Sequence, residues 1–209
     1  MRLYLIRHAQ TAWNAEGRAQ GHTDIPLDEI GHKQARALGA SFAAVQVDRV
    51  LTSDLERSII TAGRVAAATG AKLSLRPALR ERSFGDWEGK GFEEIQRLVR
   101  ESGESPFELR PPGGESFHDV WDRLTPVLEE VTGSHAQTLA VVTHGGTCAL
   151  FLARLLRGSI QTSRSFRFAN TGVTELQLRP DGLFLMVRYN DTSHVSGLAL
   201  SGDLDGSRR

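Results

Sequence analysis

The stretch Arg2-Leu-Tyr-Leu-Ile-Arg-His8 decides how this 209-residue chain is read. Leu3 to Ile6 is a short, nearly continuous apolar run that ends abruptly in a guanidinium and an imidazole. Strands covered by helices on both faces look like this, whereas a strand with one wet face alternates. Arg49 to Thr52 and Leu139 to Thr143 repeat the pattern and are read as further central strands. Each again stops at polar residues, Ser53-Asp54 in one case and His144-Gly145-Gly146 in the other. Lys72 to Leu75 reads as an additional strand. Val173 to Leu178 and Leu183 to Tyr189 flank Pro180-Asp181-Gly182 and read as a C-terminal hairpin.

Helical spacing fills the intervals. Asp54 to Thr69 puts Leu55, Ile59, Ala62 and Ala66 on one face and stops at Gly70. Asp28 to Ala44 repeats the pattern with Ala35, Leu38 and Phe42, and Thr147 to Leu156 gives another helix. Glu115 to Val131 is also helical in pattern, but Pro126 must kink or divide it near Thr125. Short strands alternating with helices imply an α/β fold, a three-layer α/β/α arrangement around a mostly parallel central sheet. The length suits one domain over residues 1–209, with a polar tail at about 203–209.

Composition removes several classes of function. Twenty-five basic residues balance twenty-five acidic ones, so no global field draws the chain to nucleic acid or to an anionic membrane, and neither is expected as a partner. Cys148 is the only cysteine, which excludes an internal disulfide framework and a thiolate-rich metal site and fits a reducing, cytoplasmic setting. The N-terminal apolar run is too short for a signal peptide, and the longest apolar region, Cys148 to Leu156, is broken by Arg154. No Gly-x-Gly-x-x-Gly follows a strand. Gly85-Asp-Trp-Glu-Gly-Lys90 has the wrong spacing for a P-loop. His22, His32, His118, His135 and His194 lack metal-ligand spacing, so they read as structural residues, and no metal or cofactor is expected. A homodimer is compatible with the sequence but not readable from it.

What remains is a local anion site. In open α/β sheets ligands bind beyond the carboxyl ends of the strands. Three strand ends here carry Arg7-His8, the Ser53-Asp54 turn leading to Arg57, and His144. Two of them open directly into helices, whose N-terminal N–H groups favour a bound phosphate.

The motifs Leu5-Ile-Arg-His-Ala-Gln-Thr11 with Trp13-Asn14, Gln20-Gly21, Pro26-Leu27, Thr52-Ser-Asp-Leu-Glu-Arg57, Glu81-Arg-Ser-Phe-Gly-Asp-Trp-Glu-Gly89, Pro112-Gly-Gly-Glu-Ser116 and Val142-Thr-His-Gly145 occur in order over most of the chain. Together they resemble the histidine phosphatase superfamily, which includes phosphoglycerate mutase. One departure is Ala9, where many relatives have glycine. The resemblance implies a phosphoglycerate mutase-like fold and a metal-independent phosphatase acting on a small phosphorylated metabolite through a phosphohistidine. His8 would be the nucleophile. Arg7, Arg57 and His144 would hold the phosphoryl oxygens, and Glu81 would serve as proton donor and acceptor. Thr11, Asn14, Gln20, Gly21 and Gly145 would line the phosphate or the rest of the substrate.

Two alternatives stay open at this level. A mutase would need a closed basic pocket, for which the chain offers only Lys90 to Pro112 with Arg97, Arg100 and Arg110. A non-catalytic phospho-ligand-binding module would need neither His8 nor Glu81.

Overall fold

A computed structural model describes residues 1–198. In chain order the elements are β1 (Arg2–Arg7), α1 (Ala12–Ala15), α2 (Glu29–Ser41), β2 (Arg49–Thr52), α3 (Glu56–Thr69), β3 (Lys72–Leu75), α4 (Phe92–Ser102), α5 (Phe117–Arg123), α6 (Thr125–Thr132), β4 (Thr138–Thr143), α7 (Gly145–Leu155), β5 (Val173–Leu178) and β6 (Phe184–Asp191). The strands form one six-stranded sheet in the order β3-β2-β4-β1-β5-β6. The first four are parallel, and β5 and β6 add to the β1 edge antiparallel. The predicted C-terminal hairpin thus supplies the two antiparallel strands.

The apolar runs explain the layering, because successive side chains of a strand point to opposite faces. Leu3 and Leu5 of β1, Leu51 of β2 and Leu139 and Val141 of β4 pack under α5, α6 and α7, against Val120, Leu124, Val127, Phe151 and Leu152. Tyr4, Ile6, Val50, Ala140 and Val142 face the other way and meet Leu38 of α2 with Ala62 and Val65 of α3. Both sheet faces are dry, which is why β1 and β4 show no alternation.

Local chemistry sets the helix ends. Asp28 caps α2 by accepting from the Gly31 N–H at 2.6 Å. Gly70 ends α3 at φ 72°, in the left-handed region a C-cap uses. The expected break at Pro126 is real: Leu124 closes α5 and opens α6, and the proline stands in the first turn of α6, where a missing N–H costs nothing. The Lys90 to Pro112 stretch, given no element from sequence, holds α4 between Gly91 and Gly103. The tail from 203 lies outside the described residues.

Candidate active site

The parallel order sets β4 between β1 and β2, so the carboxyl ends of these three strands lie side by side. His8 follows β1, Ser53 follows β2 and His144 follows β4. The His8 N–H donates to Thr143 O at 2.8 Å, continuing the β1–β4 ladder by one residue and bringing the two histidines together. Their ring centroids are 5.0 Å apart at 60°. Both side chains are buried, as are Arg7 and Arg57.

Hydrogen bonds fix both imidazole tautomers. His8 Nδ1 lies 2.7 Å from Ala9 O, and because a carbonyl only accepts, Nδ1 carries the proton and Nε2 keeps its lone pair. His144 Nδ1 lies 3.3 Å from Nε of Arg57, which only donates, so there the proton is on Nε2, 2.9 Å from Ser53 Oγ. Burial first, then the Arg57 and Arg7 guanidiniums, hold the His8 ring well below the usual imidazole range. Burial, Arg57 and His8 do the same to His144. Ala9 has no positive φ. Its N–H donates to Thr61 Oγ1 at 3.0 Å and its methyl group packs with Leu27 and Ala35, so alanine fits this position.

The guanidiniums are held by carbonyls. Arg7 Nη1 donates to Phe168 O at 2.6 Å. Arg57 reaches from the first turn of α3 to Thr23 O at 2.9 Å and Gly21 O at 2.8 Å. Burial lowers its pKa to about 10, against the opposing pull of Glu81, Asp24 and Glu88. Glu81 sits on the N-terminus of α7. Its Oε2 accepts from Gly146 N at 3.0 Å, and its Oε1 from Thr147 N and Thr147 Oγ1 at 3.2 Å each and from Arg82 N at 3.0 Å. A Cβ on Gly146 would stand 2.8 Å from Oε1, so this approach needs glycine. The Glu81 carbonyl accepts from Arg123 Nη2 at 2.8 Å and His22 Nε2 at 2.9 Å.

The remaining predicted residues line the same end of the sheet. Thr11 and Asn14 cap α1 reciprocally, which occupies the Thr11 hydroxyl and Asn14 Oδ1. Gln20 is buried, and its Oε1 has no hydrogen-bond partner among the described residues. Gly21 has φ 54°, and a Cβ there would lie 2.1 Å from Glu88 Oε1. Gly145 stands against the Arg7 guanidinium. Arg97 and Arg100 are exposed on α4, and Arg97 pairs with Glu101 and Arg110 with Asp119, so they build no basic pocket. A cavity of about 520 Å³ lined by Met1, Arg2, Gln137 and Thr138 opens at the opposite end of the sheet, away from these groups.

Sequence reading missed several contributors. Glu88 accepts from His22 N and Thr23 N at 2.8 Å each, from Phe84 N at 3.2 Å, and from the Thr23 hydroxyl. It thereby ties the Gln20–Asp24 loop to the Glu81 loop. It lies within a recognised motif, yet only the fold gives it these partners. Ser53 stands at a predicted strand end but takes no role from sequence, and Arg123 and Asn170 are silent there, Asn170 being 162 positions from His8.

Comparison with known proteins gives one answer. The profile of the histidine phosphatase superfamily (branch 1) matches residues 3–192. The metal-independent phosphoserine phosphatase of Arabidopsis thaliana is 31% identical over 217 residues, 99% of this chain and 89% of that protein. Phosphoglycerate mutase-like protein 4 of the same plant is 30% identical over 210 residues, 96% and 90% of the two chains. The crystal structure of the alpha-ribazole phosphatase from Shigella flexneri superposes with a TM-score of 0.83 at 28% identity, covering 92% of this chain and 97% of that one. With the profile matched over residues 3–192 and relatives at 30–31% identity over nearly the whole chain, this chain belongs to the histidine phosphatase superfamily.

Proposed function

We propose that the protein hydrolyses small phosphomonoesters through a phosphohistidine on His8. The observation that carries this reading is the His8 ring itself: buried, with Nδ1–H on the Ala9 carbonyl and Nε2 unprotonated beside two buried guanidiniums. Such a ring is a nucleophile at neutral pH. Nε2 attacks phosphorus in line and the ester P–O bond breaks. Glu81 gives its proton to the departing oxygen. Water then attacks the phosphohistidine, Glu81 takes its proton, the P–N bond breaks and inorganic phosphate leaves. Arg7, Arg57 and His144 stabilise the non-bridging oxygens throughout, with donors fixed before the substrate arrives. Thr11, Asn14, Gln20, Gly21 and Gly145 line the phosphate and the organic part of the substrate.

Relatives named for phosphoserine and for alpha-ribazole support a small phosphorylated metabolite as substrate. The mutase-like relative keeps phosphoryl transfer between hydroxyls as the second reading. Hydrolysis is preferred because the arginines of Lys90 to Pro112 point outward rather than closing over the site. A reducing cytoplasmic setting remains our reading from the single, buried Cys148 thiol. No described helix is long and apolar enough to cross a membrane.

The test is a panel of phosphomonoesters, including phosphoserine and both phosphoglycerates, assayed without added metal for phosphate release and isomer interconversion together. Release that disappears in His8→Ala supports the reading. Interconversion without release makes the protein a mutase, and neither activity across the panel leaves only ligand binding.

A further inference from the structure

The turn Phe168–Gly172, which no motif singled out, bears on the Arg7-His8 pair from behind. Its centre is Thr171, fully buried at φ 57°. A β-branched residue is among the least tolerant of this left-handed conformation, and such outliers persist only where the surroundings over-determine them. Here they do. The Thr171 N–H is shared between Arg7 O at 3.1 Å and His8 O at 3.4 Å. Its hydroxyl donates to Asn170 O at 2.7 Å and accepts from His194 Nε2 at 3.2 Å. Gly172 follows against Asn190, whose Oδ1 accepts from Ala169 N at 2.9 Å.

The strained backbone aims one side chain. Asn170, also buried, donates from Nδ2 to His8 O at 2.9 Å and to Asn14 Oδ1 at 3.2 Å. With its N–H on Thr143 O and its Nδ1–H on Ala9 O, His8 is held at amide, carbonyl and ring. The same turn holds Arg7 through Phe168 O. The Asn170 Nδ2 thus reaches both the nucleophile's backbone and the cap of the loop after it.

We infer that Asn170 is a positioning residue for His8, aimed by the left-handed backbone of Thr171. It acts through the His8 carbonyl and the Asn14 side chain, and so fixes where Nε2 points. The inference rests on the phosphohistidine reading above. A nucleophile displaced by a fraction of an ångström loses in-line geometry, so the Asn170→Ala protein should form phosphohistidine about 10- to 100-fold more slowly. Arg57 and His144 keep their anchors on Thr23 O, Gly21 O and Ser53 Oγ, and Arg7 keeps its bond to Phe168 O, so inhibition by inorganic phosphate should stay within about threefold of wild type.

The experiment is single-turnover phosphorylation, kcat, KM and phosphate inhibition for wild type and Asn170→Ala, with the folded fraction measured by near-UV circular dichroism. Asn170→Asp keeps the volume and turn preference but removes the N–H donors. It goes through the same assays and replaces Asn170→Ala if that protein does not fold. Slow phosphorylation at unchanged phosphate affinity in the folded protein supports the inference. A phosphorylation rate within threefold of wild type overturns it, as does a loss that merely follows the folded fraction. Absence of phosphohistidine in the wild type, by contrast, would overturn the reading on which it rests.

Discussion

Lowering the pH from 7 to 5 should weaken the fold through His8 in a way that a single substitution removes. In the unfolded chain a histidine takes up its proton near pH 6.5. In the native protein, burial and the Arg57 and Arg7 guanidiniums keep the His8 ring neutral well below that value. Below about pH 6.5 the unfolded state therefore binds more protons than the native one, and stability falls as pH falls. If the native ring stays neutral down to pH 5, the linkage integral for one histidine between pH 7 and 5 approaches about 1.9 kcal/mol. His8→Gln deletes the titrating group, so its stability loss over that interval should be smaller than that of the wild type by up to this amount. The carboxylates held low by cations, such as Asp54, Glu115 and Glu130, titrate below the interval. His144 and His194, both held low first by burial, are present in both proteins and cancel in the difference. The assay is urea unfolding at both pH values and constant ionic strength, in phosphate-free buffer. Equal losses for the two proteins, or a larger one in His8→Gln, would refute the claim that this ring is held neutral.

Four further outcomes are expected. Glu81→Gln should lower kcat/KM, which reports only the steps through the departure of the ester oxygen, by about 10²- to 10⁴-fold on alkyl phosphates and far less on nitrophenyl phosphate, whose leaving group needs no proton; equal losses of kcat/KM on both would remove Glu81 as the acid. Glu88→Gln replaces one of the two accepting oxygens by an amide NH2 that faces N–H donors, and should cost about 1–3 kcal/mol in urea unfolding, with weaker phosphate inhibition as the Arg57-bound turn loosens. Gly21→Ala combines positive φ with a 2.1 Å clash against Glu88, so a loss of about 2 kcal/mol or more is expected, and thermal unfolding within error of wild type would count against the cradle described here. Asp28→Ala should remove about 0.5–2 kcal/mol through the lost α2 cap and leave kcat unchanged in the same assays.

Length and periodicity carried β1, β2, β4 and α3 into the reading of the sequence, because a run such as Leu3–Ile6 has no polar face and can only be satisfied between two layers of helices. Punctuation carried more: Gly70 and Pro126 end elements for local steric reasons that need no partner. Strand order was not legible. Nothing local says that β4 inserts between β1 and β2, yet that insertion brings His144 to His8 and Arg57 to His144.

The sequence by itself determined which side chains stand at strand ends and what chemistry they can do, since backbone periodicity and side-chain type are local properties. Only the tertiary structure decided the rest. The proton on His8 sits at Nδ1 because the chain turns the Ala9 carbonyl back onto the ring. Glu81 meets the start of α7, Glu88 joins two loops, and Asn170 reaches across 162 positions to the His8 carbonyl. Hydrogen bonds of that kind depend on distance in space, which sequence separation does not encode.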